Sequence, residues 1–183
     1  MKTISDHILD ILQNSTRASA TEIVLAIEVD DEADRLIIVI KDNGAGMAPD
    51  LLMNVTNPFT TTRKTRKVGL GLPLLRQHTE LTGGDLKVES EQGRGTTIKA
   101  LFRLKHVDRQ PMGDLALTVT LFITGNPGVD FRFSYKSPSG RFDVTAREIS
   151  EVLEDEELNK PIYFGLINEL LSENLSALGA DRI

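Results

Sequence analysis

Asp10, Asn14 and Arg17 stand at i, i+4 and i+7, and the run Asp42-Asn43-Gly44-Ala45-Gly46-Met47 sets one carboxylate beside backbone freed by two glycines. On a helix the first three side chains share a face and could point at one ligand. A single amide oxygen, such as that of Asn14, suffices for Mg2+, which prefers few protein ligands and completes its shell with phosphates and waters. Arg17 can pair with phosphate oxygens. Asp10, one turn back, can orient or deprotonate a water attacking a γ-phosphate. The same three residues also fit a solvated helix face, with an acid toward its N-terminus and a cation toward its C-terminus. Asp42 follows the apolar stretch Leu36 to Ile40. A carboxylate at a strand end accepts from the exocyclic amine of adenine, whereas guanine turns a carbonyl toward it, so this turn would select ATP over GTP. Gly44 and Gly46 let the chain pass under a flat base. An Asp-Asn-Gly-x-Gly loop joining two ordinary elements is the plainer alternative.

Gly69-Leu70-Gly71-Leu72 lies just ahead of a second helical pattern, where free backbone N–H groups and the positive end of the dipole can hold a phosphate. The basic run before it, with Arg63, Lys64, Arg66 and Lys67, could close over a nucleotide or be a solvated loop. Thr96 follows Gly93 and Gly95 and could reach a base nitrogen or its bridging water, while Gly93 fits a simple hairpin turn.

The elements that would position these residues are legible in outline. Ile4, Ile8, Leu9, Ile11, Leu12 and Ala18 recur at helical spacing over residues 3 to 18. Ile23 to Val29 alternate and Leu36 to Ile40 follow an acidic turn, which predicts a hairpin. A short helix is expected over Pro49 to Met53, and a second amphipathic helix over Leu70 to Leu81, with Pro73 in its first turn and Gly83-Gly84 ending it. Strands are expected at Asp85 to Glu89 and Thr96 to Leu104. Lys105 to Gly113, with Pro111, looks like a boundary between units 1–107 and 108–183. Beyond it the alternation of Leu115, Leu117, Val119, Leu121 and Ile123, then of Val129, Phe131, Phe133 and Tyr135, predicts a second hairpin. Thr145 to Glu148 fits a capping box, and Pro161 opens a final helix, so the C-terminal segment reads as ββαα. Its apolar faces would cover the sheet or meet a second subunit or a protein partner.

The 183 residues, 40% apolar and 26% charged, suit a globular chain with a real core. No apolar run is long enough to span a bilayer and no signal peptide is apparent, so a cytoplasmic location without membrane contact is expected. The chain has no cysteine, which excludes disulfides and thiolate sites, and its three histidines are not at zinc-ligand spacing. Net charge is −6: residues 1 to 109 hold 15 Lys+Arg against 15 Asp+Glu, and residues 110 to 183 hold 6 against 12. That balance argues against nucleic acid as a partner. The glycines do not form a Gly-x-Gly-x-x-Gly turn within a βαβ unit, which sets aside a dinucleotide-binding oxidoreductase.

In order and spacing, "DILQNSTRASATEI", "DNGAGM", "NPFTTTRK", "GLGL" and "GRGTT" resemble the asparagine, glycine and phenylalanine boxes of the GHKL superfamily, the ATP-binding domain shared by gyrase, the large heat-shock chaperones, histidine kinases and MutL. The resemblance spans roughly residues 1 to 105. It implies a two-layer α/β sandwich of the Bergerat type, a mixed sheet with helices on one face, and ATP and Mg2+ as cofactors. It further implies Asn14 at the metal, Arg17 at phosphate, Asp42 at adenine with Gly44 and Gly46 around it, Gly69 and Gly71 in the lid, and Thr96 near the base. Asp10 would be the catalytic base, but hydrolytic relatives usually carry glutamate there, and aspartate falls short by about 1.5 Å. A free-standing ATPase or protein kinase acting on a protein partner is therefore expected, with a non-catalytic nucleotide switch as the alternative and a homodimer compatible with both. No phospho-acceptor helical hairpin precedes the domain, and no long transducer domain follows it, so neither a complete sensor kinase nor a gyrase- or MutL-length chain is expected.

Overall fold

The computed structural model describes residues 1–56, 71–154 and 157–183. Strands β1 (Glu22–Asp30), β2 (Arg35–Asp42), β3 (Asp85–Glu91), β4 (Gly95–Arg103), β5 (Asp130–Ser137) and β6 (Gly140–Thr145) form one sheet in the order β3-β4-β2-β1-β5-β6. All neighbours pair antiparallel except β1 and β5, which run parallel. Helices α1 (Ile4–Arg17), α2 (Pro49–Asn54), α3 (Gly71–Leu81), α4 (Leu115–Gly125), α5 (Ala146–Leu153) and α6 (Pro161–Ala177) complete the fold. In the helical layer α3 packs on α1, α1 on α4 and α4 on α6, following the order of the strands beneath. This is the mixed α/β sandwich expected of a Bergerat-type domain. Among the described residues no helix is long and apolar enough to cross a membrane.

The alternation that predicts the first hairpin also sets its faces. Ile23, Leu25, Ile27 and Val29 turn to the helices and are buried, as are Leu36, Ile38 and Ile40 opposite them. Lys41, Lys99 and Arg132 point to the open face. Helix α1 starts on a capping box in which Thr3 Oγ1 accepts from the Asp6 N–H and the Asp6 carboxylate from the Thr3 N–H. The next two free donors, the N–H groups of Ile4 and Ser5, are taken by the carbonyls of Pro111 and Met112 at 3.0 and 2.8 Å. At the end of α3, Gly83 and Gly84 donate to the carbonyls of Glu80 and Thr79.

The second hairpin differs from its expected form. Leu115 to Ile123 lies in helix α4, not a strand, and β5 takes β6 as its hairpin partner instead. Asp114 caps the helix, accepting from the Leu117 N–H at 2.8 Å, an interaction worth about 1 kcal/mol. The aliphatic alternation does not follow burial: Leu117 and Leu121 are exposed, while Ala116, Thr118, Thr120 and Phe122 between them are buried. Thr118, Thr120 and Thr124 donate their hydroxyl protons to carbonyls four residues back, so each polar group is satisfied inside the helix. With leucines at the exposed positions and threonines at buried ones, the helical period of burial is not written in the hydropathy pattern. β5 itself falls where Phe131, Phe133 and Tyr135 place it.

The C-terminal segment adds strands to the sheet and helices to the layer that covers it. β5 pairs with β1 and widens it, and α4 continues the helical layer, with Phe122 and Phe131 rings 4.8 Å apart. Both helix signals in this segment are observed: the Thr145–Glu148 capping box opens α5, and Pro161 stands at the start of α6.

His7 is 1% exposed, on the buried face of α1. Its Nε2 lies 3.1 Å from Gln110 Oε1, an acceptor, so Nε2 carries the proton. Nδ1 has no hydrogen-bond partner, and the His78 ring stands edge-on at 5.5 Å. Burial first, then the charge of His78, hold His7 below its ordinary value, and burial lowers His78 likewise. The folded chain thus binds fewer protons than the unfolded one. Stability is fully present above the unfolded value of about 6.5 and is lost as pH falls from there through the lowered folded value. Urea unfolding of His7→Leu at pH 7.5 and pH 5 should show a shallower loss than the parent, His78 and the carboxylates held low, such as Glu89, supplying the remainder. An unchanged slope would rule out His7 as a source.

Candidate functional site

Asp42 ends β2, opposite Thr96 on β4, which is in turn opposite Ser90 on β3. The Asp42 side chain is 7% exposed, yet no cation faces it among its hydrogen-bond partners. Its Oδ1 accepts from the N–H groups of Gly44 at 2.9 Å and Thr96 at 3.2 Å, and its Oδ2 from the Ser15 hydroxyl at 2.7 Å. The turn that follows is tied on three sides. Asn43 accepts from the N–H groups of Thr21 and Glu22, both at 2.9 Å, and Ala45 donates to the Ala18 carbonyl at the end of α1. Met47 donates to Ser90 Oγ, which lies 2.9 Å from the Thr96 hydroxyl. Gly46 has φ of +62°, and a Cβ there would overlap the Glu91 carbonyl, so the turn closes on β3 only with glycine. Gly44 sits beneath Asp42 against Ala18.

Asp10, Asn14 and Arg17 share one face of α1, as their spacing predicts. Arg17 Nη1 donates to Asn14 Oδ1 at 2.8 Å, and Asn14 Nδ2 donates to Asp10 Oδ2 at 3.2 Å. Asp10 and Asn14 are half-buried and Arg17 is exposed. Asp10 also lies against the first residue of α3, since a Cβ on Gly71 would overlap its Oδ2. The acid therefore meets the amino end of α3, where the dipole favours negative charge. Asn14 Oδ1 is a hard oxygen donor, a single protein ligand that suits Mg2+ with phosphates and waters completing its shell. Among the described residues no group of three or more His, Cys, Asp or Glu could hold a metal.

Gly69, the basic residues Arg63, Lys64, Arg66 and Lys67, and the phenylalanine-box residues of the "NPFTTTRK" run lie outside the described residues. Two contributors escape the sequence reading. Ser15 follows Asn14 but points the other way, into the layer between α1 and β2. Its signal is a hydroxyl on the apolar stripe of Ile4, Ile8, Ile11 and Leu12. Ser90 is found only through the register of β3 with β4.

Residues 3–106 match the family described as Histidine kinase-, DNA gyrase B-, and HSP90-like ATPase. Among curated proteins, a putative sensor protein of Shewanella frigidimarina is 32% identical over 103 residues, 55% of this chain and 16% of that one. Sporulation kinase C of Bacillus subtilis is 33% identical over 97 residues, 53% of this chain and 22% of that one. Sensor histidine kinase ZraS of Salmonella typhimurium is 35% identical over 96 residues, 52% of this chain and 20% of that one. The chain thus covers about a fifth of the length of these relatives. The crystal structure of the N-terminal domain of a DNA repair protein superposes with a TM-score of 0.55 at 16% identity, over 83% of this chain and 57% of that one. That likeness is one of fold.

Proposed function

The chain belongs to the histidine kinase-, DNA gyrase B- and HSP90-like ATPases, and we propose that it binds Mg2+-ATP and passes the γ-phosphoryl to water or to a protein partner. Its ATP-binding domain is similar to the corresponding part of sensor histidine kinases. In this reading Asp42 accepts from the adenine amine, with Gly44, Gly46 and Thr96 lining the base. Asn14 holds the metal ion, which would neutralise phosphate charge when bound. Arg17 leaves the Asn14 amide to meet a phosphate, and Gly69 and Gly71 approach the phosphates from the lid. Asp10 orients or deprotonates the attacking group.

The observation that carries this reading is the Ser15–Asp42 bond of 2.7 Å. Because Ser15 and Asn14 are consecutive on α1, that bond sets the purine-reading carboxylate one residue from the proposed metal ligand. Calorimetric titration with ATP, with and without Mg2+, tests it, joined to measurement of ADP, phosphate and labelled protein. Saturable Mg2+-dependent binding with ADP formation is expected, and no binding at millimolar ATP would sink the proposal. A second reading, a nucleotide-dependent switch, is favoured by the shorter acid at Asp10 and its seat against Gly71. Binding without ADP, even with candidate acceptors present, would select it.

A further inference from the structure

We infer that Ser15 is a positioning residue for base selection, fixing the free lone pair of Asp42 toward the 6-amino group of a purine. This inference rests on the ATP-site reading above.

Ser15 is 3% exposed, on the stripe of α1 otherwise given to Ile4, Ile8, Ile11 and Leu12. A helical serine so placed ordinarily gives its proton to the carbonyl four residues back. Here that carbonyl, of Ile11, is 3.3 Å away, and Asp42 Oδ2 is 2.7 Å away. The single hydroxyl proton belongs to the shorter, charge-assisted bond. Ser15 Oγ then offers only lone pairs.

The consequence for Asp42 follows by counting. A carboxylate has about four acceptor sites. Gly44 and Thr96 fill those of Oδ1, and Ser15 fills one on Oδ2. One acceptor site is left, on Oδ2, and both oxygens are pinned, so the carboxylate cannot turn about its own axis to vary it. A 6-amino group donates into that site. A 6-oxo group meets acceptors from both Asp42 and Ser15 and is rejected. Without the hydroxyl only Oδ1 is held, and a water in the vacated space would compete for Oδ2.

The test compares ATP with purine riboside triphosphate, which lacks the 6-amino group, on the same preparation of the full chain. The ratio of the two dissociation constants is insensitive to overall stability and to the fraction of folded protein, because it reports only what the amine gains. For the parent the ratio should favour ATP at least about tenfold. In Ser15→Ala it should fall about fivefold or more, with the circular dichroism of the parent retained. A Ser15→Ala ratio within twofold of the parent, or larger, overturns the inference, as does a parent that does not distinguish the two nucleotides. Asp42→Asn in the same assay separates the two levels. If it abolishes the preference while Ser15→Ala keeps it, only the role of Ser15 fails. If Asp42→Asn binds ATP as the parent does, the ATP-site reading fails with it.

Discussion

Asp42→Asn raises the dissociation constant for Mg2+-ATP at least about a hundredfold and turns the residual preference toward GTP, as measured by calorimetric titration with each nucleotide. The size follows from what the amide must do in that place. If Oδ1 stays on the N–H groups of Gly44 and Thr96, the new Nδ2 stands where Oδ2 accepted from Ser15. The adenine amine then meets a donor instead of an acceptor. If the amide flips, Nδ2 faces two N–H donors that are themselves nearly buried. Either arrangement leaves polar groups unpaired, each costing about 1–3 kcal/mol. Guanine is served by the change, because its 6-oxo group can accept from Nδ2. A variant that binds ATP within threefold of the parent would show that the base is read elsewhere.

The parts of this fold that were legible in the sequence are those built from local contacts. The faces of α1 and of the β1–β2 hairpin follow from side-chain period, and the end of α3 from Gly83-Gly84. The i, i+4, i+7 spacing alone places Asp10, Asn14 and Arg17 together. Helix α4 is illegible because its threonines satisfy their hydroxyls within the helix and so behave as core residues, while Leu117 and Leu121 stand exposed, which leaves an alternation of Leu, Val and Ile unrelated to burial. The parallel pairing of β1 with β5 joins residues more than a hundred positions apart, and no local pattern encodes it. The site divides the same way. That Asp42 and Thr96 are direct neighbours follows from the β2–β4 register, which no local spacing encodes. Ser15 went unread because serine has a local partner available in any helix, and only the two distances show which one it takes.

Asp10→Asn separates binding from chemistry. Its carboxylate accepts from Asn14 Nδ2, and the amide oxygen of the variant can still do so, which should leave the dissociation constant for Mg2+-ATP within about threefold. An amide cannot take a proton, and a positioned general base contributes typically 10²–10⁴-fold, so kcat should fall by about a hundredfold or more. Steady-state phosphate release and equilibrium binding, measured on the same preparation, resolve the two effects. A variant that keeps the parent's kcat would place the base on another residue. One that loses affinity in step with kcat would make Asp10 a ligand-binding group, holding phosphate or metal in the ground state as strongly as in the transition state.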